Sequence, residues 1–393
     1  MPKRRKWLKI LKIIVAAEIV LQVFSFGRYV YSKYQADSRK KQEPAIRRTI
    51  TDPDYTWWLT ESPSITSTYA PFVGWTTDQI NTQNIHAGNG IRRTEGNPVT
   101  VTPDTKTMYF FGGSTIWGYM IKDSETIPSF LAKTLNEQRP EWQLDNFGEI
   151  GYASTQEVIK LLLLLKENRV PTIAVFYDGC NDLGLYTPYG KRNQRGFEDA
   201  LAQKLGDIYI YFREKQPPNL TLINVDMMKK IPNIFYSYIK IIRYPVKLIL
   251  WIAGERDVSA PSAGDGPADE QTIREAASAL VFDYEQNARM IDSLSREYGF
   301  QYILIWQPQL MDKENRSDQE KKIYEDLFLD RENDPIWKQA TKMLKEKNIK
   351  HFYDLTDVFD SLQQTVFLDR CHTTPEGNEI TTDRIKKIIS LYQ

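Results

Sequence analysis

From residue 107 to the C-terminus, short apolar runs alternate with amphipathic stretches, and that alternation restricts the chain to α/β architectures. Residues 107–111 (T-M-Y-F-F) form an apolar, aromatic run ending at Gly112-Gly113 and read as a buried strand. A helix is expected over about 125–138, then a strand over 142–147. Ser154-Thr155-Gln156-Glu157 has the pattern of a capping box, with Ser154 capping a helix that runs to about Asn168. Pro171 precedes a third strand, 172–177. Ile273, Ala277, Leu280, Tyr284, Ala288, Ile291 and Leu294 form the apolar stripe of a long helix over about 271–298, stopped by Gly299. Residues 302–306 and 351–354 supply two more strands. The last helix opens at Thr373-Thr374-Pro375-Glu376, with Thr as cap and Pro in the first turn. Strands and helices in this order predict a mostly parallel sheet covered on both faces.

Two regions depart from the alternation. Residues 189 to about 270 contain an apolar run, 236–253, that carries Lys240, Arg243 and Lys247 at helical spacing. A linker rich in Ser, Pro, Ala and Gly follows it. The stretch reads as a helical insertion over one edge of the domain. Its run is either a helix packed on the body or a basic amphipathic surface that meets membrane or roofs the site. At the N-terminus, Lys3, Arg4, Arg5, Lys6, Lys9 and Lys12 precede an apolar run from Ile13 to Phe26. The run is short for a span, which needs about 20 residues, and Glu18 and Gln22 interrupt it. Flanking lysines and tyrosines can snorkel and extend it. An uncleaved anchor is preferred to a cleaved signal or an interfacial helix, because no convincing small-residue cleavage site follows. The denser upstream charge places the N-terminus inside and the catalytic body outside the cytoplasm, although Arg28, Lys33, Arg39, Lys40, Lys41, Arg47 and Arg48 compete from the other flank. The expected organisation is a basic segment and anchor (1–32), a stalk and N-terminal extension (33–103), whose Thr/Pro/Gly/Asn-rich part from Asp52 reads as loops and short strands packed on the main domain, and a main domain (104–393) with the insertion at about 189–270.

Charge argues against one class of partner, nucleic acid. Lys plus Arg and Asp plus Glu both total 51, without the basic excess of a nucleic-acid binder. An aromatic content of 12% suits contact with lipid or sugar.

In open α/β sheets, ligand sites gather at the carboxyl ends of the strands. Four segments with suitable chemistry fall at or near such places: F-G-G-S-T-I-W-G (111–118), N-F-G-E-I-G-Y (146–152), Y-D-G-C-N-D (177–182) and F-L-D-R-C-H (367–372). Ser114, at a strand-to-helix turn after two glycines, would expose its hydroxyl and aim its N–H at a developing anion. Gly151 could offer a backbone N–H, with Gly148 its rival, and Asn181 a side-chain amide. His372 is the natural general base, and Asp369 at i−3 can hold its tautomer and stabilise the imidazolium. The bland alternatives are a helix-capping Ser114, a capping or core His372, and an Asn181 bonded to its own turn. Asp178 and Asp182 read as loop-shaping residues. His86 and His351 lack comparable neighbours in sequence.

In this order the four segments resemble the four blocks of the SGNH (GDSL-like) hydrolase superfamily. The resemblance covers about 105–390 apart from the insertion. It implies a three-layer α/β/α sandwich, a catalytic Ser114–His372–Asp369 triad, an oxyanion hole of Ser114, Gly151 and Asn181, and no metal or organic cofactor. Gly112-Gly113-Ser114 departs from the Gly-Asp-Ser of many members and resembles the Gly-Gly-Ser-Thr form of envelope-associated ones, including those acting on acylated glycans. The segments beginning at Tyr69 (Y-A-P-F) and Gly90 (G-I-R-R) resemble extensions of such anchored members. The expected activity is acyl-ester hydrolysis or acetyl transfer on extracytoplasmic glycans. The alternatives are a lipase or lysophospholipase with the insertion as lid, and a non-catalytic scaffold that binds in polysaccharide assembly. The resemblance also brings the loops of Cys180 and Cys371 together. Either a disulfide staples them or two small thiols stay reduced.

Overall fold

The computed structural model describes residues 55–186, 269–326 and 333–392. The expected anchor (1–32) and the insertion at about 189–270 lie outside the described residues. Among the described residues, no helix is long and apolar enough to cross a membrane.

The apolar runs are strands, as their composition requires: β6 (Lys106–Gly112), β7 (Trp142–Asn146), β8 (Ile173–Asp178), β9 (Gln301–Trp306) and β10 (Phe352–Asp354). All five pair in parallel, in the spatial order β10-β9-β8-β6-β7. Alternate residues point to opposite faces, so each strand feeds two cores. On one face Met108, Phe110, Leu144, Val175 and Ile303 pack against α3 (Ile127–Asn136) and α9 (Pro375–Ile389). On the other, Tyr109, Phe111, Phe176 and Leu304 pack against α4 (Ser154–Lys166) and α6 (Glu270–Tyr298). The result is a mixed α/β fold with a mostly parallel sheet between two helical layers. Thr374 caps α9 by accepting from the Gly377 N–H at 3.2 Å, with Pro375 in the first turn, as its sequence predicts.

The region from 55 to 103 is woven into this body. It holds α1 (Thr56–Glu61), a hairpin of β1 (Ser67–Ala70) and β2 (Gly74–Thr77), and the short strands β3 (Ile80–Asn81), β4 (His86–Gly88) and β5 (Ile91–Arg92). The last three extend the main sheet antiparallel beyond β7, giving eight strands. Short strands packed on the main domain are what the sequence predicts here, although two or three residues are too few to show an alternating pattern and fix each strand's bounds.

The capping box expected at Ser154 does not form as read. Ala153 is the cap residue and Ser154 the first helical one. The Ser154 hydroxyl donates to Asp182 Oδ1 at 2.5 Å and accepts from Asn287 Nδ2 at 2.8 Å. Glu157 is fully buried beside Asp178 and Asp182. Tertiary partners take the hydroxyl because buried Asp182 needs donors, while the equally buried helix end is served by Gln156 Oε1, which accepts from the Ala153 N–H at 3.3 Å.

Candidate active site

The sheet delivers the four segments to one end. Strand β6 ends at Gly112, Gly113 is the cap of the one-turn helix α2 (Ser114–Trp117), and Ser114 opens it. A Cβ on Gly113 would lie 2.1 Å from Asn181 Nδ2 and 3.1 Å from the Tyr152 carbonyl, so only glycine lets the Asn181 amide pack here. Helix α2 is clamped from outside by Arg92 of the G-I-R-R segment. Its guanidinium donates to the carbonyls of Trp117 (3.0 Å), Gly118 (2.7 Å) and Ile121 (2.6 Å) and stands 4.2 Å over the Trp117 ring. Arg92 is 1% exposed and pairs with Asp123 at 3.0 Å, which supplies the charge a buried guanidinium requires.

The C-terminal block forms a tight turn ahead of α9. Leu368 N–H donates to the His372 carbonyl at 2.8 Å, and Thr374 N–H to the Val366 carbonyl at 2.8 Å. Within the turn, Asp369 Oδ1 accepts from the backbone N–H groups of Cys371 (2.9 Å) and His372 (2.8 Å). Asp369 Oδ2 meets His372 Nδ1 at 2.6 Å, and His372 Nε2 meets Ser114 Oγ at 2.7 Å. Residues 258 positions apart are thus joined in one hydrogen-bonded line. Burial opposes charge on the His372 ring. The Asp369 charge and hydrogen bond outweigh it and raise the ring above its ordinary 6.5. Burial likewise opposes ionisation of Asp369, but His372 and the two backbone donors hold the carboxyl below its ordinary 3.8.

Gly148 and Gly151 are separated by their hydrogen bonds. The Gly148 N–H is donated to Asn146 Oδ1 at 3.0 Å, so it is engaged by its own turn. Gly151, at φ +86°, lies exposed at the rim, next to Tyr152, whose carbonyl accepts from Asn181 Nδ2 at 2.7 Å. Asn181 sits near the start of α5 (Cys180–Gly184). One of its amide hydrogens serves Tyr152, and its nitrogen packs on Gly113. Asp182 shapes this loop by accepting from Gly179 N–H at 3.2 Å and Ser154 N–H at 3.2 Å.

The extension from 55 to 103 builds the surroundings. Trp75 Nε1 donates to the Ile150 carbonyl at 2.9 Å, Tyr152 Oη donates to the Trp75 carbonyl at 2.5 Å, and Glu149 accepts from Thr76 and Thr77. The loop of Gly151 is therefore held by the β1–β2 hairpin. Tyr119 lies 4.9 Å from the His372 ring, centroid to centroid, and is backed by Trp58 at 4.7 Å. Sequence reasoning missed Arg92, Asp123 and Tyr119 as parts of the site. The G-I-R-R segment was the one signal available for Arg92, and nothing local marked the others.

His86 also has an aspartate partner: its Nδ1 lies 2.7 Å from Asp123 Oδ2, 37 positions away. The absence of a neighbour in sequence did not mean the absence of one in space. His351 Nδ1 meets Tyr392 Oη at 2.6 Å. Among the described residues, Asp369, Cys371 and His372 are the group that could hold a metal ion, with ligand atoms within 4.8 Å of one another. Both ring nitrogens of His372 are already engaged with Asp369 and Ser114. Cys180 and Cys371 are free thiols, not a disulfide. A separate cleft of about 700 Å³, bordered by Asp312, Arg316, Lys338, Lys342 and Asp360, includes none of the triad residues.

No family model matches the sequence, and none of the curated proteins compared with it does. Solved structures do match, among them esterases and lipolytic proteins of the G-D-S-L kind. An acetyl xylan esterase, AlAXEase, is 11% identical with a TM-score of 0.37, covering 72% of this chain and 99% of its own. A lipolytic G-D-S-L protein from Veillonella parvula is 10% identical with a TM-score of 0.37, covering 73% and 99%. The esterase EstA from Pseudoalteromonas sp. is 11% identical with a TM-score of 0.34, covering 73% and 98%. What this site can do follows from its own atoms.

Proposed function

We propose that the chain is a serine ester hydrolase with Ser114 as nucleophile, His372 as base and Asp369 as the group that orients it. The observation that carries this reading is the unbroken line from Asp369 through His372 to Ser114, at 2.6 and 2.7 Å. Three features needed for nucleophilic catalysis coincide there: a hydroxyl within reach of an imidazole, a carboxylate on the far ring nitrogen, and an amide donor beside the nucleophile. In the first step the Ser114 proton passes to His372 Nε2 as Oγ attacks the acyl carbon. In this reading the oxyanion is received by the N–H groups of Ser114 and Gly151 and by Asn181 Nδ2, the last of which is held beside Gly113 by the Tyr152 carbonyl. The imidazolium then protonates the departing alkoxide, leaving an acyl-Ser114 ester. Water, deprotonated by His372, attacks that ester and releases the acid. A sugar hydroxyl in place of water would make the same intermediate a transfer reaction.

The favoured substrate is a short acyl ester on a glycan. The half-buried Tyr119 ring beside His372, held from behind by buried Trp58, supports this, because a flat aromatic face suits a sugar ring. In this reading residues 1–32 anchor the chain and the catalytic body works outside the cytoplasm, consistent with the basic cluster ahead of the apolar run. The test is turnover by the purified full chain on nitrophenyl esters of increasing acyl length and on an acetylated oligosaccharide, beside Ser114→Ala. Ser114-dependent release of acetate from the sugar is expected, with rates falling as the acyl chain grows. Rates that climb with chain length would replace the glycan reading with a lipase. Absence of any Ser114-dependent turnover, with or without acceptor sugars, would leave a binding role.

A further inference from the structure

The proposed chemistry leaves the Y-A-P-F segment (69–72) without a task. It forms the end of β1 and the turn into β2, and it carries two large apolar side chains in solvent. Tyr69 is 42% exposed and Phe72 77%. Phe72 also stands at φ +72°, in the left-handed region that a bulky side chain disfavours. The turn is held there because the next residue, Val73, is buried and its carbonyl accepts from Gln156 Nε2 at 2.8 Å. A single exposed apolar side chain is ordinary. A strained backbone that holds an aromatic ring in solvent gains nothing from packing and points to a ligand.

The hairpin places these rings next to the reacting centre. Tyr69 lies directly opposite Trp75 in the β1–β2 ladder, so the two rings project from the same face of the ribbon. The Trp75 ring lies against Gly151, where a Cβ would stand 3.3 Å from Trp75 Cζ2. Gly151 is itself exposed. A path of neighbours thus runs from the oxyanion glycine to Trp75, across the ladder to Tyr69, and on to Phe72 at the turn. The other side chains of the ribbon here include Ser67, Thr68, Thr76 and Thr77. Separate rings among hydroxyl groups suit a sugar chain, which offers C–H faces to the rings and hydroxyls to their neighbours. An acyl chain would need a continuous apolar channel instead.

We infer that Tyr69 and Phe72 form a second sugar subsite, and that the substrate is an acylated oligosaccharide or polysaccharide rather than a single sugar. Tyr69 receives the sugar next to the one whose ester lies at Ser114, and Phe72 receives the one beyond it. The register of the chain rests on the glycan-esterase reading, whereas sugar binding at the hairpin does not.

The test compares the full chain with Tyr69→Ala, Tyr69→Phe and Phe72→Gly. Substrates are acetylated tetrasaccharides of glucose, xylose and N-acetylglucosamine, each beside its acetylated monosaccharide. For at least one backbone the parent should favour the tetrasaccharide in kcat/KM by about tenfold or more. Tyr69→Ala should remove most of that advantage, through KM, and Tyr69→Phe, which keeps the ring, should retain it. Phe72→Gly should reduce it about threefold with no fall in thermal midpoint, because glycine relieves the left-handed turn. An advantage that survives Tyr69→Ala, or no advantage for any backbone, overturns the subsite. A Tyr69→Ala loss found instead on long-chain nitrophenyl esters assigns the hairpin to an acyl chain and overturns it as well. Binding is read apart from turnover by calorimetric titration of Ser114→Ala, with and without Tyr69→Ala, against the unacetylated tetrasaccharides. If the parent shows no Ser114-dependent turnover, the esterase reading fails and the titration still decides the subsite. Weaker binding on loss of the Tyr69 ring supports it, and unchanged binding or none at all overturns it.

Discussion

Two histidine–aspartate pairs stand in the described part of this protein at almost the same distance, 2.6 Å for His372–Asp369 and 2.7 Å for His86–Asp123. Their surroundings differ in ways that matter. Asp369 is surrounded by donors that all belong to its own turn, and its partner's second ring nitrogen faces the Ser114 hydroxyl. Asp123 divides its charge: Oδ1 accepts from buried Arg92, and His86, itself 30% exposed, meets Oδ2. In the proposed mechanism the first pair moves a proton. The second neutralises the guanidinium that clamps helix α2. A short His–Asp distance therefore does not identify a catalytic base. What identifies one is what the other nitrogen faces and what else the carboxylate must serve.

Removal of His372 should separate the two pairs most widely. His372→Gln should lower turnover of an acetyl ester by about 10⁵–10⁶, as expected where nucleophile and base act as a unit. Asp369→Asn should cost about 10⁴ in kcat, because the ring loses its tautomer and its counter-charge. The pH profile gives that prediction a sign. With His372 raised above 6.5, the base is protonated and idle at acid pH, so the acid limb of kcat/KM should lie above 6.5. Without the Asp369 charge the limb should move to lower pH while the plateau falls. A limb that stays in place would show that Asp369 does not set the ring's affinity for protons.

Asn181→Ala tests the oxyanion assignment and should cost about 10²–10³, mainly in kcat. A loss confined to KM would make Asn181 a substrate contact in the ground state. At the second pair the expected losses are in stability. Arg92→Met leaves Asp123 buried without its guanidinium and should lower unfolding stability by about 3–5 kcal/mol, read by denaturant melts. His86→Gln should be the mildest, with turnover within about threefold of the parent at a surface-near position. A collapse of turnover in His86→Gln, with folding intact, would erase the distinction between the pairs.

How much of this could be read from the sequence differs in the same way between the pairs. Asp369 and His372 are three residues apart, so the spacing alone announces their contact. Ser114 is marked by the strand and glycines before it. The parallel strands β6, β8 and β9 are long and apolar enough to declare themselves, and β7 (W-Q-L-D-N) shows an alternating pattern instead. His86, Arg92 and Asp123 meet only after the short strands β4 and β5 join the sheet, and no local pattern encodes that meeting. Ser154 shows the reverse failure: a strong local pattern for capping is overridden when buried Asp182 takes the hydroxyl. Gly148 and Gly151 look alike in sequence and are told apart by whether Asn146 already holds the N–H.

The central claim is that Ser114 is the acyl-accepting nucleophile activated by His372. Its most direct test is reaction of the full chain with a fluorophosphonate, followed by mass mapping of the adduct in the parent and in His372→Gln. One stoichiometric adduct on Ser114 is expected, with the labelling rate in His372→Gln reduced at least about a hundredfold. An adduct on another residue, or Ser114 labelled equally fast without His372, would contradict it.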